Sequence, residues 1–231
     1  MLLFSLECSA AAASAAIYRD EKLLGEEFLN VPQTHSVALL PMAKSLLEHT
    51  GISPAQIDYY AVSRGPGSFT GLRIGIAAIK GLAFPDDTPC IGVSTPEAIA
   101  YGLLGFEGTV IPMMDARCGQ VYTALFQGKD GRLTRLSEDE ALPLSELKEK
   151  LKSCLGPLWL CGDGAHLGLA AWGEELPVRM APAHLCCQRA SAVGLAAMQH
   201  LGEAVSPAAL VPCYLRPANA MTLAERQHKA E

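Results

Sequence analysis

One glycine-rich loop combines residue types and spacing that could bind an anion. The segment SRGPGSFTGLRIG begins at residue 63, and within it Gly65, Gly67, Ser68 and Thr70 form a candidate cofactor site. The glycines permit backbone angles that other residues avoid, and Ser68 or Thr70 can cap the helix that begins there. Free amides at the start of a helix attract phosphate or carboxylate. A tight strand-to-helix turn without a ligand explains the same spacing equally well.

The loop does not match two well-defined catalytic motifs. A Walker loop requires Lys followed by Ser or Thr after its last glycine, whereas Gly71 is followed by Leu72 and Arg73. A nucleophile elbow centred on Ser68 requires glycine where the chain has Thr70. The sequence therefore favours neither a P-loop nucleotidase nor a serine hydrolase.

Neither the cysteines nor the histidines are spaced as metal ligands. The eight cysteines include no CxxC pair, and nothing nearby in the sequence completes a metal site around the adjacent Cys186 and Cys187. His35 is followed four residues later by Leu39, so this segment lacks the HxxxH pair that places two imidazoles on one face of a helix. We expect no metal site and no catalytic residue in this chain.

The elements that position these residues follow from hydrophobic periodicity and turn residues. The predicted strands lie at 2–7, 14–19, 22–29, 57–64, 90–93, 109–115, 119–127, 132–136 and 158–161. The predicted helices lie at 34–49 with a kink at Pro41, at 68–82, after a cap at Ser94 or Thr95, at 144–152, after Gly164 and after Ser191. Asp163 is either the cap of the helix after Gly164 or part of a phosphate turn.

The order of elements in residues 1–103 recurs in residues 104–231. It predicts an α/β fold of two similar half-domains, each with a mixed sheet flanked by helices. We expect the last helix to pack back on the first half and the tail after residue 217 to be flexible.

Composition limits the classes of function. The chain has 231 residues, is 50% hydrophobic and carries 18 basic against 24 acidic side chains, which excludes a disordered chain and an autonomous nucleic-acid binder. Its apolar runs are shorter than the roughly 18 residues of a membrane span.

No secretory leader is expected either, because Glu7 interrupts the first apolar run and the first basic residue is Arg19. We expect a soluble cytoplasmic protein.

Two helices have the composition of an interaction surface. The helix after Thr34 has more apolar residues than one core-facing stripe requires, and the following helix has a stripe of small residues. Such a pair can present an apolar patch to a partner or to a second copy of the chain. The expected partner-binding residues are His35, Leu39, Leu40, Met42, Leu46, Leu47, Gly71, Ile74, Gly75 and Ala78. The alternative is that the chain's own sheet covers both faces of the helices.

Four motifs together resemble one known family. RGPGSFTGLRIG at 64–75, IGVST at 91–95, DARCGQVY at 115–122 and PCYLR at 212–216 are similar to the corresponding segments of the TsaB (YeaZ) family. The resemblance implies an actin-like ATPase (ASKHA) fold and a role in making N6-threonylcarbamoyladenosine, beside the anticodon of tRNAs that read codons beginning with adenine.

The resemblance also implies partners. It points to a non-catalytic subunit that binds a TsaD-type catalytic paralogue, works with a TsaE-type ATPase and forms a homodimer when the paralogue is absent. No cofactor would be required by this chain, since ATP or ADP and metal are expected on the partner subunits. tRNA would be contacted indirectly, and no membrane is involved.

The turn after the first strand departs from the family's pattern. The family has Asp followed by Thr, whereas this chain has Glu7 followed by Cys8 and a run of small residues. The longer carboxylate is displaced by about 1.5 Å, and a misplacement of ~1 Å can cost about two orders of magnitude in rate. Alanines also offer no oxygen to magnesium. An active small-molecule kinase or ATPase of the actin-like fold, with Glu7 as metal carrier, is the alternative function.

Overall fold

The computed structural model describes residues 1–31 and 34–216. The tail after residue 217, which the sequence predicted to be flexible, lies outside the described residues.

The first half is built on a five-stranded mixed sheet with strand order β3-β2-β1-β4-β5. Its elements are β1 (Leu2–Glu7), β2 (Ala13–Arg19), β3 (Lys22–Leu29), α1 (His35–Thr50), β4 (Tyr59–Gly65), α2 (Phe69–Ala83), β5 (Cys90–Ser94) and α3 (Thr95–Tyr101). Two tight connections make β1, β2 and β3 antiparallel, whereas helical crossovers make β1, β4 and β5 parallel.

The second half is built on a seven-stranded sheet with the central order β10-β7-β6-β11-β12, and β8 and β9 extend from β6. Its elements are β6 (Gly108–Arg117), β7 (Gln120–Thr123), β8 (Phe126–Lys129), β9 (Arg132–Arg135), β10 (Glu140–Pro143), α4 (Leu144–Leu151), β11 (Leu158–Cys161), α5 (Ala165–Trp172), β12 (Val178–Met180) and α6 (Ala190–Ala197). Two mixed sheets flanked by helices confirm the predicted fold class.

Both faces of the first sheet are buried. Phe4 and Leu6 of β1 pack with α1 and α2 on one face, and Leu3 packs with α3 and α6 on the other. α3 also contributes Ile99 and Ala100 to a core beneath the second sheet, so this helix lies between the two sheets. A central strand covered on both sides explains why β1 is almost continuously apolar.

Helix α6 returns from the second half to the first sheet. The Ser5 hydroxyl donates to the Ala190 carbonyl at 2.7 Å, and the Ala190 amide donates to the Ser14 hydroxyl at 2.8 Å. The predicted division at residues 103 and 104 stays a prediction, because the cover of the first sheet includes residues from beyond it.

Several local expectations need correction. The predicted strand at 119–127 is two strands, β7 and β8, and the short strands β10 and β12 were not predicted. Asp163 does not cap α5, since the cap is Gly164 without a side-chain bond and the Asp163 carboxylate accepts from Gln188 at 2.7 Å. The expected cap at Ser94 is confirmed by its bond from the Glu97 amide.

Helix α1 continues through Pro41 as a single helix, and Thr34 precedes it without a side-chain capping bond. Among the described residues, none of the helices combines the length and apolarity that crossing a membrane requires.

Candidate functional site

The turn after β1 is closed by its own hydrogen bonds. Glu7 is completely buried, and its two carboxylate oxygens accept from the Ser9 amide at 2.5 Å and from the Ser63 hydroxyl. Burial raises the pKa of Glu7 despite these bonds. Because both oxygens have donors inside the protein, the carboxylate supports the fold of the turn and is poorly placed to carry a metal ion.

The glycine-rich loop is packed against that turn. The Ser68 amide donates to the Ser9 carbonyl at 2.7 Å, and the Ser68 hydroxyl caps α2 by accepting from the Gly71 amide at 3.2 Å. A Cβ at Gly67 would lie 2.6 Å from the Ser9 carbonyl oxygen, which explains the glycine there. The structure thus brings Gly65, Gly67, Ser68 and Thr70 together at the start of α2, with one amide already bonded to a protein carbonyl. Anion binding by these residues stays a prediction.

A cleft of about 490 Å³ separates this loop from the second half. Asp115 and Asp163 line its far side, and Asp115 pairs with Arg117 at 3.3 Å. Burial raises the pKa of Asp163. The cleft lining therefore combines the carboxylate of Asp115, the carboxyl group of Asp163 with its neutral form favoured, and the guanidinium of Arg117.

His35 lies at the start of α1 and contacts the same turn. Its Nε2 is 2.7 Å from the Ala10 carbonyl oxygen. No cluster of three or more His, Cys, Asp or Glu side chains that could hold a metal is found within residues 1–31 and 34–216.

Most of the predicted partner-binding residues lie in the chain's own core, which corrects that expectation. The buried side chains are Leu39, Met42, Leu46, Leu47 and Ala78. Gly71 and Gly75 pack tightly against Cys8, since Cβ atoms there would lie 2.1 Å from its carbonyl oxygen and 2.8 Å from its sulfur. The small-residue stripe therefore serves close packing of α2 on the turn after β1, and the sheet covers this side of both helices.

The outer side of the two helices remains exposed. Leu40 of α1 is 51% exposed and Val37 is 57% exposed, whereas Ile74 of α2 is half-buried. Beside Leu40, an open groove of about 960 Å³ runs from α1 to the end of α2. The groove is lined by Leu40, Pro41, Ala43, Lys44, Leu47, Glu48, Gly51, Ile52, Ser53, Pro54 and Leu82.

Comparison with known proteins agrees on one family. The family model described as "TsaD: tRNA N6-adenosine threonylcarbamoyltransferase" matches residues 29–153. A Bacillus subtilis tRNA threonylcarbamoyladenosine biosynthesis protein TsaB is 31% identical over 220 residues, which cover 95% of this chain and 96% of that protein. The Escherichia coli TsaB is 33% identical over 176 residues, covering 75% of this chain and 74% of that protein.

Solved structures give the same result. YeaZ from Pseudomonas aeruginosa matches with a TM-score of 0.77 at 28% identity, covering 93% of this chain and 99% of that chain. A more distant neighbour, an activator of 2-hydroxyisocaproyl-CoA dehydratase from Clostridium difficile with bound ADPNP, matches with a TM-score of 0.50 at 12% identity, covering 88% of this chain and 96% of that chain. The distant match shows a shared fold alone.

Proposed function

Because the chain belongs to the TsaB family of tRNA threonylcarbamoyladenosine biosynthesis proteins, we propose that it is the non-catalytic subunit of a threonylcarbamoyl-transfer complex. In this role it binds, stabilises and activates a TsaD-type paralogue. The paralogue transfers the threonylcarbamoyl group from threonylcarbamoyl-AMP to N6 of the adenosine beside the anticodon, in tRNAs that read codons beginning with adenine.

The internal bonding of the turn after β1 carries this proposal. A phosphate or metal site needs donors and acceptors that are free to meet a ligand. Here the oxygens of Glu7 are bonded to Ser9 and Ser63, and the Ser68 amide is bonded to the Ser9 carbonyl. This arrangement supports a subunit whose nucleotide and metal chemistry takes place on partner chains.

The exposed outer side of α1 supports a docking role. Leu40 lines the long apolar groove and Val37 is exposed on the same helix, and burying such side chains contributes about 1.5–3 kcal/mol each. We propose that the TsaD-type paralogue covers this surface, that a second copy of the chain covers it when the paralogue is absent, and that a TsaE-type ATPase joins the assembled pair in the cytoplasm.

The test combines assembly with activity. The chain is mixed with the TsaD-type paralogue from the same source, and the mass of the complex is followed by light scattering during gel filtration. Threonylcarbamoyl transfer to tRNA is then measured with the donor supplied. We expect a one-to-one complex whose transfer activity requires this chain.

A matched pair of variants locates the surface. Leu40→Glu should remove both the complex and the activity, whereas Leu155→Glu, at a side chain that is 79% exposed in the second half, should change neither. Absence of a complex with the unaltered chain, together with ATP turnover by the isolated chain that Glu7→Ala abolishes, would overturn the proposal in favour of an actin-like kinase or ATPase.

A further inference from the structure

A C-terminal segment crosses the mouth of the cleft between the two halves. Residues 207–216, called here the strap, begin along α2, where Leu210 is buried in the first-half core. The Cys213 amide then donates to the Arg64 carbonyl at 2.7 Å. Beyond it, the Arg216 guanidinium donates to the Ala116 carbonyl of the second half at 2.9 Å. The strap therefore touches both halves.

The strap completes a stack of aromatic and guanidinium groups at the start of α2. The Arg73 guanidinium lies 3.9 Å from the centre of the Phe69 ring, and the Tyr214 ring lies 4.8 Å from the same ring. The Arg73 Nε donates to the Tyr214 hydroxyl at 3.1 Å. These contacts fix Arg73 at the surface with its charge exposed to solvent.

Beside this stack is a cavity of about 200 Å³ with a basic and aromatic lining. Its polar and aromatic members are Phe69, Arg117, Cys118, Tyr122, Tyr214 and Arg216. Within the described part of the chain, this lining includes two arginines and no carboxylate. Asp115 lies just outside and neutralises Arg117 only in part, because the Arg117 side chain is 86% exposed.

This surface contrasts with the rest of the molecule. The chain as a whole has a formal net charge of -6, yet the side chains of Arg73, Arg117 and Arg216 all lie along the strap or its cavity. Guanidinium groups bind phosphates, and neighbouring aromatic rings can stack on an unpaired base. An acidic peptide would match the charge but would make no use of the rings.

We propose, against the expectation that tRNA is contacted indirectly, that the strap, the start of α2 and the turn after β6 form a direct contact surface for RNA. In this arrangement Arg73 and Arg117 meet backbone phosphates, while Tyr122 and the part-exposed Tyr214 ring flank an unpaired base in the cavity. The identity of the RNA as the tRNA substrate rests on the proposed function. The surface differs from the groove beside α1, so one chain can hold the paralogue and the RNA at the same time.

The test measures binding of tRNA to the complex of this chain with its paralogue. The tRNA is an unmodified transcript whose anticodon reads a codon beginning with adenine. Fluorescence anisotropy at several salt concentrations gives both the Kd and its salt dependence. We expect Arg73→Glu with Arg117→Glu to weaken binding at least about tenfold and to reduce the magnitude of the slope of log K against log salt by about 0.7 per lost phosphate contact, the coefficient for a single strand. Arg132→Glu, an exposed arginine on β9 outside the cavity lining, is the matched control for charge.

Light scattering gives the mass of each variant complex, so that an effect on docking of the paralogue can be distinguished from an effect on RNA binding. If Arg73→Glu weakens assembly, Arg117→Glu alone carries the RNA test, because Arg117 belongs to the second half. Unchanged Kd and salt slope in an intact Arg117→Glu complex would overturn the RNA proposal and leave the docking role standing. Binding of polyglutamate that is lost in the arginine variants, while the same variants bind tRNA normally, would also overturn it and would assign the surface to an acidic protein. Absence of any complex with the unaltered chain would instead count against the proposed function.

Discussion

The inner and outer sides of α1 and α2 have similar residues but different surroundings. On the inner side, Leu39 and Leu46 are buried in the first-half core, and Gly71 packs directly on Cys8. On the outer side, Leu40 is exposed, and a Cβ at Gly81 would meet nothing within 4 Å. An excess of apolar and small residues on a helix therefore does not by itself identify a partner surface. The chain's own sheet can bury the inner side of the helix completely and leave part of the outer side exposed.

The largest expected difference between the two sides is between two glycines of α2. Gly71→Ala would force a Cβ to within 2.1 Å of the Cys8 carbonyl oxygen, so backbone must move and we expect loss of soluble folded protein. Gly81→Ala should stabilise the chain by about 0.5–1 kcal/mol, since alanine favours the helix. The yield of soluble folded protein measures the first effect, and urea unfolding followed by circular dichroism measures the second. Equal stabilities would show that α2 does not pack on the turn as described.

The next difference is between two leucines of α1. Leu46→Ala removes a buried side chain from the first-half core and should cost about 2–5 kcal/mol in the free energy of unfolding. Leu40→Ala should change it by less than about 0.5 kcal/mol, because exposed positions tolerate truncation. Chemical denaturation of the isolated chain gives both values, and a large loss at Leu40 would mean that this side is also core.

Glu7 extends the comparison to a charge beneath the inner side. Glu7→Ala should destabilise by about 1–3 kcal/mol for each donor, of Ser9 and Ser63, that loses its partner. Because burial raises the pKa of Glu7 above the usual 4.5, the folded chain binds a proton that the unfolded chain has lost in the pH range between 4.5 and the higher folded pKa. The contribution of Glu7 to the free energy of unfolding is therefore complete below pH 4.5. It is lost as the pH rises through the higher folded pKa.

Glu7→Gln tests that pH dependence, since glutamine keeps the shape and stays neutral. We expect the melting temperature of this variant, relative to the unaltered chain, to be higher at pH 8 than at pH 4. A constant difference between the two pH values would contradict the raised pKa.

The smallest expected effect is at a part-exposed network that links the two halves away from α1 and α2. His200 contacts Glu97 at 2.9 Å and Glu203 at 3.0 Å, and Glu97 also pairs with Arg135 of β9 at 3.1 Å. Burial lowers the pKa of His200, but the hydrogen bonds with Glu97 and Glu203 outweigh it and leave the pKa raised. The stabilisation is therefore complete below the unfolded pKa of about 6.5 and is lost as the pH rises through the folded pKa.

His200→Gln should accordingly lower stability by about 0.5–1 kcal/mol at pH 5.5 and by less at pH 9. Thermal unfolding across this pH range measures the difference. A larger loss at pH 9 than at pH 5.5 would reverse the assigned sign.

Much of the fold followed from local signals. The bounds of β1, β3 and β11 agree with the prediction, because apolar runs there end at clear turn residues. The strands β10 and β12 were missed, since each is three or four residues long and exists only through pairing with β7 or β11. Such short strands carry too little periodicity to be recognised alone.

The residues of the candidate site were predictable from the sequence, but their hydrogen bonds and packing were not. The glycines and Ser68 were identified from spacing, yet the bond from the Ser68 amide to the Ser9 carbonyl joins distant parts of the chain and has no local signal. The stack of Arg73, Phe69 and Tyr214 was missed for the same reason, although the segment PCYLR had been noted. Helical periodicity likewise left open which side of α1 faces the sheet, and only the tertiary packing decides it.

The return of α6 to the first sheet has a consequence for biosynthesis. The strands β1 to β5 leave the ribosome early, but the helix that covers Leu3 and bonds to Ser5 and Ser14 emerges only after most of the second half. Until then only α3 covers this apolar face of the nascent sheet, and partly covered apolar faces promote aggregation or chaperone binding. The first half therefore cannot complete its own core until most of the second half has been synthesised.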